Sequence, residues 1–270
     1  MKKLQYMLLA SFLLLGCNNS ENKKIEQKPH DHEAMMKQLG EPKYKIKTVG
    51  ILLYDGFTTL DAMGPYQVLS ELMGTQVFFV SKQKGLIKNM NGVGIHVDRD
   101  FKDTDSLDIL VIPGGFKETL RLTTDVETLN WIKKVDKTTQ FTTSVCTGAW
   151  VLGATGLLNG KNATSHWYKA EEVLKSYGAN FQQKRWVRDG KYWTSAGVTA
   201  GMDMSLAIVQ EIRGDEYLKL AMLDLEYDPK PPLTAGSVTN TDKETVQMMK
   251  EMYDVGFQPI FDSIKKNKKE

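Results

Sequence analysis

Thr142-Thr143-Ser144-Val145-Cys146-Thr147-Gly148-Ala149-Trp150-Val151-Leu152 is the stretch whose reading decides the fold. Before Cys146, β-branched and small polar residues alternate as in a strand. After it come small and apolar residues at helical spacing, opening with Thr and Gly. The cysteine therefore stands on a sharp strand-to-helix turn, a nucleophile elbow, with the N–H groups of the new helix directed at its sulfur. Such a field favours thiolate over thiol, and the thiolate is the nucleophile. The expectation is a protein with a reactive cysteine; the alternative is a buried, inert one.

Strands and helices alternate outward from the elbow. Val49–Tyr54 is a near-continuous apolar run, suited to a strand covered on both faces. Helical spacing follows over Asp61–Leu72. Strands are expected at Gln76–Val80, at Ile95–Val97 (at an edge or in a hairpin) and at Asp108–Ile112. Residues 125–136 read as an amphipathic helix, and the helix after Cys146 is expected to run to Leu158. Ala163–His166 reads as a short strand, Glu171–Tyr177 as a helix, and Phe181–Val187 with Tyr192–Ser195 as strands around an Asp189-Gly190 hairpin. Helices follow over Thr199–Ile212 and from Asp215, and the residues from Thr241 read as a surface helix. This order predicts an α/β fold with a mostly parallel sheet sandwiched by helices. Ligands of such sheets bind at the carboxyl ends of strands. There the sequence places Tyr54-Asp55-Gly56-Phe57, Pro113-Gly114-Gly115, Cys146-Thr147 and His166-Trp167.

With 270 residues, 41% of them hydrophobic, the chain has ample material for one sizeable core. A net charge of +2 carries no electrostatic footprint for nucleic acid, so none is expected as a partner. The N-terminus reads as an address. Lys2-Lys3 precedes an apolar stretch from Leu4 to Leu15, too short for a permanent span and suited to a signal-peptide core. Leu14-Leu15-Gly16-Cys17 looks like a lipobox, in which Cys17 is diacylated and becomes the new N-terminus. The expected division is a lipoprotein signal peptide over 1–17, a flexible tether over 18–43, an α/β domain over 44–240 and a helical extension over 241–270. The expected location is a bacterial cell-envelope membrane, held by the lipid on Cys17. His30 and His32 fall in the tether, where two histidines on a mobile segment make a poor metal site. An exported chain whose folded part has one cysteine forms no disulfide there, which marks Cys146 as a thiol to watch.

Four motifs occur in order: Leu60-Asp61-Ala62-Met63-Gly64-Pro65, Ile112-Pro113-Gly114-Gly115, Ser144-Val145-Cys146-Thr147-Gly148 and Ala163-Thr164-Ser165-His166-Trp167. Together they resemble the ThiJ/PfpI superfamily, with its flavodoxin-like, class I glutamine amidotransferase-like fold, and within it the isonitrile hydratase branch. Leu152–Thr164 is similar to that branch's Leu-Gly-x-x-Gly-Leu-Leu-x-Gly-Lys-x-Ala-Thr run. Gly197–Asp203 and Leu225-Glu226-Tyr227 also look like it. The resemblance spans roughly residues 47–232.

The resemblance implies that Cys146 attacks the carbon of a small substrate. Asp61 would be the carboxylate that handles protons beside the thiol, and Thr147 the hydroxyl residue that follows it. In the isonitrile hydratase scheme the thiolate attacks the isonitrile carbon, an acid protonates the adduct, and water completes an N-substituted formamide. Gly114, Gly115 and Gly148 would line the pocket, with the Gly115 and Thr147 N–H groups forming an anion site. Asp61 also reads as a helix N-cap, and the two roles are compatible. Peptidase-like members carry His directly after the nucleophile, where this chain has Thr147. His166, in a Thr-x-His arrangement, is either a base for the thiol or a structural hydrogen bonder. Family members are commonly cytoplasmic or fused to a helix-turn-helix module, unlike this lipoprotein-like chain, and Ser195 stands where glycine is expected. No phosphate loop or metal-ligand cluster stands out, so no cofactor is expected. The expected partners are a small-molecule substrate, the membrane through Cys17 and a second copy as a homodimer. The competing functions are a binding or sensing domain without turnover and a glyoxalase-like stress enzyme using the same cysteine.

Overall fold

A computed structural model describes residues 39–267 of the chain. The leader, Cys17, His30, His32 and most of the tether lie outside the described residues. Near the expected end of the tether, the Lys43 N–H donates to the Ile212 carbonyl and the Lys43 Nζ pairs with Glu211 at 2.5 Å.

In chain order the strands are β1 (Thr48–Leu52), β2 (Gln76–Ser81), β3 (Gly85–Lys88), β4 (Gly94–Val97), β5 (Arg99–Asp100), β6 (Ile109–Ile112), β7 (Phe141–Val145), β8 (Asn162–Ala163), β9 (Asn180–Phe181), β10 (Trp186–Asp189) and β11 (Tyr192–Ser195). The helices are α1 (Thr59–Ser70), α2 (Lys117–Leu122), α3 (Val126–Asp136), α4 (Gly148–Ala154), α5 (Ala170–Ser176), α6 (Ala200–Arg213), α7 (Asp215–Asp224) and α8 (Lys243–Asn267).

A seven-stranded sheet runs in the order β10-β11-β7-β6-β1-β2-β5, parallel throughout except for the β10–β11 hairpin. Every residue of β6 and β7 is buried. That double burial is why these strands read as continuous runs rather than as alternating ones. Helices α1, α6 and α7 pack together, as do α2, α3, α4 and α5, so the sheet is sandwiched. β1 leads to β2 on one side, whereas β6 leads to β7 on the other. The carboxyl ends of β1 and β6 therefore flank a topological switch point, where a crevice opens in such sheets.

Several local expectations change. β3 and β4 pair as a separate hairpin, which accounts for the segment around Ile95. The helix after the elbow stops at Ala154 rather than Leu158. The strand expected over Phe181–Val187 is broken into β9 and β10, and Ala163–His166 keeps strand form only at its start, pairing with β9. Short polar stretches such as Gln182-Gln183-Lys184-Arg185 bury too little to hold a ladder together.

The largest revision concerns α8, expected to be a surface helix. Phe257 on α8 is 1% exposed and joins Trp150, Tyr168, Leu120 and Val173 in a core cluster. Its ring lies edge-on to Phe116 at 4.2 Å and to Trp150 at 5.6 Å, and stacks on Tyr168 at 5.4 Å. Phe257 is thus the most deeply buried of the aromatic residues that tie the extension to the body. Phe257→Ala is expected to cost about 3 kcal/mol, from lost transfer energy and the cavity left behind. Urea unfolding followed by tryptophan fluorescence checks this, and an unchanged midpoint would mean that α8 is not docked.

Candidate active site

Cys146 follows β7 and precedes α4, with a backbone φ of 59°, the left-handed conformation that L-residues rarely adopt. Its N–H donates to the Ser195 carbonyl, and its own carbonyl accepts from Ser165 Oγ at 3.0 Å. Two glycines make the turn sterically feasible. A Cβ on Gly148 would run into the Ile112 carbonyl oxygen, and one on Gly197 would sit 3.2 Å from the Cys146 sulfur. Gly148 thus serves close packing of the elbow against β6. Gly197, at φ 144°, forms the floor against the thiol.

Asp61 reaches the thiol from α1, across the switch point. The helix begins at Thr59 with Thr58 as N-cap, so Asp61 lies inside the first turn and is not the cap. Its side chain leaves its own helix. Oδ2 accepts the Gly114 N–H at 3.0 Å, and the carboxyl interacts with the Cys146 thiol. Oδ1 is buried without a well-formed hydrogen bond among the described residues. A carboxyl fully removed from water, with one oxygen unpaired, favours its neutral form. Burial raises the Asp61 pKa to about 7, against the Gly114 and Cys146 hydrogen bonds, which pull it down.

The same burial decides the thiol. Cys146 is 5% exposed, and desolvation pushes its pKa well above the usual thiol value. The Asp61 charge adds to the rise, and the hydrogen bonds from Thr147 oppose it. The helix N–H groups do favour the thiolate, as the elbow suggested, but burial beside a carboxylate outweighs them. In the free protein the Cys146–Asp61 pair holds protons more tightly than either group does in water.

The Gly114 and Gly115 amides are both engaged. Gly114 N–H is held by Asp61, and Gly115 N–H donates to Thr147 Oγ1 at 3.0 Å, while that hydroxyl donates back to the Gly115 carbonyl at 2.9 Å. The anion site expected of the Gly115 N–H is therefore taken by the protein's own side chain. These glycines position Asp61 and Thr147. Tyr54, marked in the sequence only by its place at a strand end, braces the same loop: its hydroxyl donates to the Pro113 carbonyl at 2.9 Å and bonds Thr119 Oγ1 at 2.7 Å.

His166 lies three residues past β8, and neither ring nitrogen bonds the thiol. Nδ1 accepts the Tyr168 N–H at 3.3 Å, and Nε2 lies 3.5 Å from the Tyr253 hydroxyl. Burial among aromatic rings lowers its pKa to about 4, so the ring is neutral at ordinary pH. Tyr253 comes from α8 and carried no signal in the sequence beyond its place in an amphipathic helix. Among the described residues no cluster of three or more His, Cys, Asp or Glu is arranged to hold a metal, and no helix is long and apolar enough to cross a membrane. An open cleft of about 340 Å³ beside β1 and β2, lined by Leu53, Asp55, Ser81, Lys82 and Phe101 among others, does not include Cys146.

Comparison with known proteins places these features in a family. The DJ-1/PfpI family model matches residues 47–211. The chain is similar to the isonitrile hydratase of Pseudomonas putida, 40% identical over 189 residues, which cover 70% of this chain and 82% of that protein. It is 33% identical over 149 residues to the deglycase TK1284 of Thermococcus kodakarensis, covering 54% of this chain and 87% of that one. Among solved structures, a ThiJ/PfpI family protein from Pseudomonas syringae superposes with a TM-score of 0.79 at 34% identity, covering 86% of this chain and 97% of that one.

The raised Asp61 pKa has a consequence for stability. Its folded value lies above the unfolded one, so the protonated carboxyl favours the folded state. That contribution is complete below about pH 4 and is lost as pH rises through about 7. Asp61→Asn keeps an acceptor for the Gly114 N–H and removes the titration. Relative to wild type, this variant is expected to gain stability between pH 4 and pH 8, by no more than about 4 kcal/mol. Urea unfolding across that range measures the gain, and a difference independent of pH would contradict the assignment.

Proposed function

The chain belongs to the DJ-1/PfpI family, and on that premise we propose that it hydrates isonitriles to N-substituted formamides through Cys146. The similarity to isonitrile hydratase supports the reaction class. The observation that carries the reading is the buried Cys146–Asp61 pair, a nucleophile with its proton carrier alongside. An isonitrile carbon has both an electrophilic site and a lone pair, so it must receive a sulfur and a proton. A pair that holds its proton tightly until substrate arrives suits that demand better than a free thiolate does.

In the proposed cycle sulfur bonds to the terminal carbon, and the proton held by the pair passes to that same carbon, giving the thioimidate R–N=CH–S–Cys146. Water adds across the C=N bond, its oxygen to carbon and a proton to nitrogen. The tetrahedral adduct then expels sulfur: the C–S bond breaks, the hydroxyl proton returns to the Cys146–Asp61 pair, and R–NH–CHO leaves. Atoms balance as isonitrile plus water, with no change of oxidation state in the protein. Asp61 shuttles the proton at each step, and Thr147, fixed to Gly115, keeps the elbow N–H against the sulfur. The deglycase similarity supports a second reading, attack of the same thiol on a carbonyl substrate. The leader supports attachment to a bacterial envelope membrane through a diacylated Cys17, and the family resemblance supports a homodimer.

The full chain incubated with alkyl and aryl isonitriles should release formamide, followed by mass spectrometry. Cys146→Ala is expected to abolish release, and Asp61→Asn to slow it by about 10²-fold or more. Lactate from methylglyoxal with no formamide would move the activity to carbonyl substrates. A Cys146→Ala protein that still makes formamide would remove the cysteine from the chemistry.

A further inference from the structure

Rings from three separate parts of the chain, Phe116, the His166–Trp167 pair and Tyr253, meet beside the segments that hold the elbow. Phe116 follows Gly115, whose amide holds Thr147, and His166 follows Ser165, whose hydroxyl holds the Cys146 carbonyl. Each is thus one residue from a group that grips the elbow, and both rings turn toward Tyr253. The Tyr253 ring lies 6.1 Å from Phe116, 5.1 Å from His166 and 5.6 Å from Trp167. Burial raises the Tyr253 pKa, and a charge on Cys146 would raise it further.

The wall is built rather than incidental. A Cβ on Gly256 would collide with the Phe116 ring, so glycine lets α8 settle directly on it. Tyr168 Oη donates to Asp254 Oδ1 at 2.7 Å, and Lys169 Nζ reaches Asp254 at 3.3 Å and Gln258 at 3.1 Å. These contacts fix the turn of α8 that follows Tyr253 and commit Lys169 to that helix. The rings that meet Tyr253, those of Phe116, His166 and Trp167, are uncharged at ordinary pH. His166 Nδ1 accepts a backbone N–H, which assigns the ring proton to Nε2. Nε2–H is thereby placed to donate to the Tyr253 oxygen, and the phenolic hydrogen stays free for a ligand acceptor. Among the described residues, no lysine or arginine is one of the groups that shift the titration of Asp61, His166 or Tyr253.

We propose that α8 forms the substrate-binding wall of this site and that Tyr253 is its specificity-determining residue. The wall fits an uncharged substrate bearing an apolar substituent of aromatic size. Applied to turnover, this rests on the hydratase reading and names its substrate class as aryl or bulky alkyl isonitriles, with carboxylate-bearing ones rejected. An aromatic ring entering such a cluster gains offset or edge contacts. An anion would enter a site that offers it no counter-charge.

The test is arranged so that the wall and the hydratase reading fail separately. Cys146 in the full chain is alkylated with iodoacetamide, iodoacetanilide and iodoacetate, which share one electrophile and differ in the appended group. Rates are normalised to those of glutathione. Wild type is expected to favour the anilide over the amide by at least tenfold and to disfavour the acetate by a similar factor. Tyr253→Ala should bring the anilide preference to within about threefold of glutathione, and Tyr253→Phe should retain most of it. Circular dichroism reports whether α8 stays folded; where Tyr253→Ala loses helix, Tyr253→Leu supplies the deciding ratio. An anilide preference of one in wild type, or one unchanged in the folded variant, overturns the proposal. In parallel, kcat/KM for phenyl isonitrile should fall at least tenfold in Tyr253→Ala, mainly through KM, while that for methyl isonitrile changes less than threefold. Alkylation selectivity without any isonitrile turnover would uphold the wall and overturn the hydratase reading alone.

Discussion

A thiol and a carboxyl, both withdrawn from water and facing each other, are the constraint around which this structure is arranged. Neither ionises readily there: burial penalises each charge, and each charge would repel the other. Keeping such a pair in place requires groups that grip both partners without adding a cation. Gly114 N–H holds the carboxyl, Ser165 and Ser195 hold the backbone of the cysteine, and Thr147 locks the elbow to the loop after β6. The left-handed backbone at Cys146 is maintained by the same ring of contacts. Removing one contact therefore disturbs geometry and protonation together.

Most of the scaffold was legible because local and global signals agreed. Val49–Tyr54 and Asp108–Ile112 read as strands buried on both faces, and they lie adjacent in the sheet as β1 and β6. The elbow was equally legible, since β-branched residues before Cys146 and small ones after it admit few other geometries. Signals failed where burial depends on distant partners. The helix field at Cys146 is visible in the sequence, but the carboxylate and the desolvation that outweigh it arrive from residues 85 positions away, counted from Asp61 to Cys146. The Gly115 amide looked free because nothing local indicates that Thr147 would take it. His166 was open between a base for the thiol and a structural hydrogen bonder, and its nitrogens are turned to Tyr168 and Tyr253. α8 looked like a surface helix because the rings that bury Phe257 come from three other segments.

The topology explains why the site stands where it does. At the switch point between β1 and β6 the crossovers leave in opposite directions, and the loops at those strand ends are free of the helices that cover the sheet. Asp61 enters from the β1 side, Gly114 and Gly115 from the β6 side, and Cys146 from the neighbouring β7. The hydrogen bond between Asp61 and Gly114 spans the crevice itself, so the proton carrier is also the stitch that closes it.

Between α7 and α8 the chain crosses residues 228–240, every one of them exposed. A helix joined to its docking surface only through such a segment behaves as a tethered ligand. Its occupancy is set by its own affinity and by the effective concentration that the linker imposes, on the order of millimolar for a short flexible one. Undocking costs the Phe257 contacts and the Asp254 latch but breaks no bond of the sheet. A segment held this way can open at a free energy below that of global unfolding, with the sheet intact. The placement of the wall beside the thiol is thus open to adjustment through linker length, without altering any residue that meets the reacting carbon.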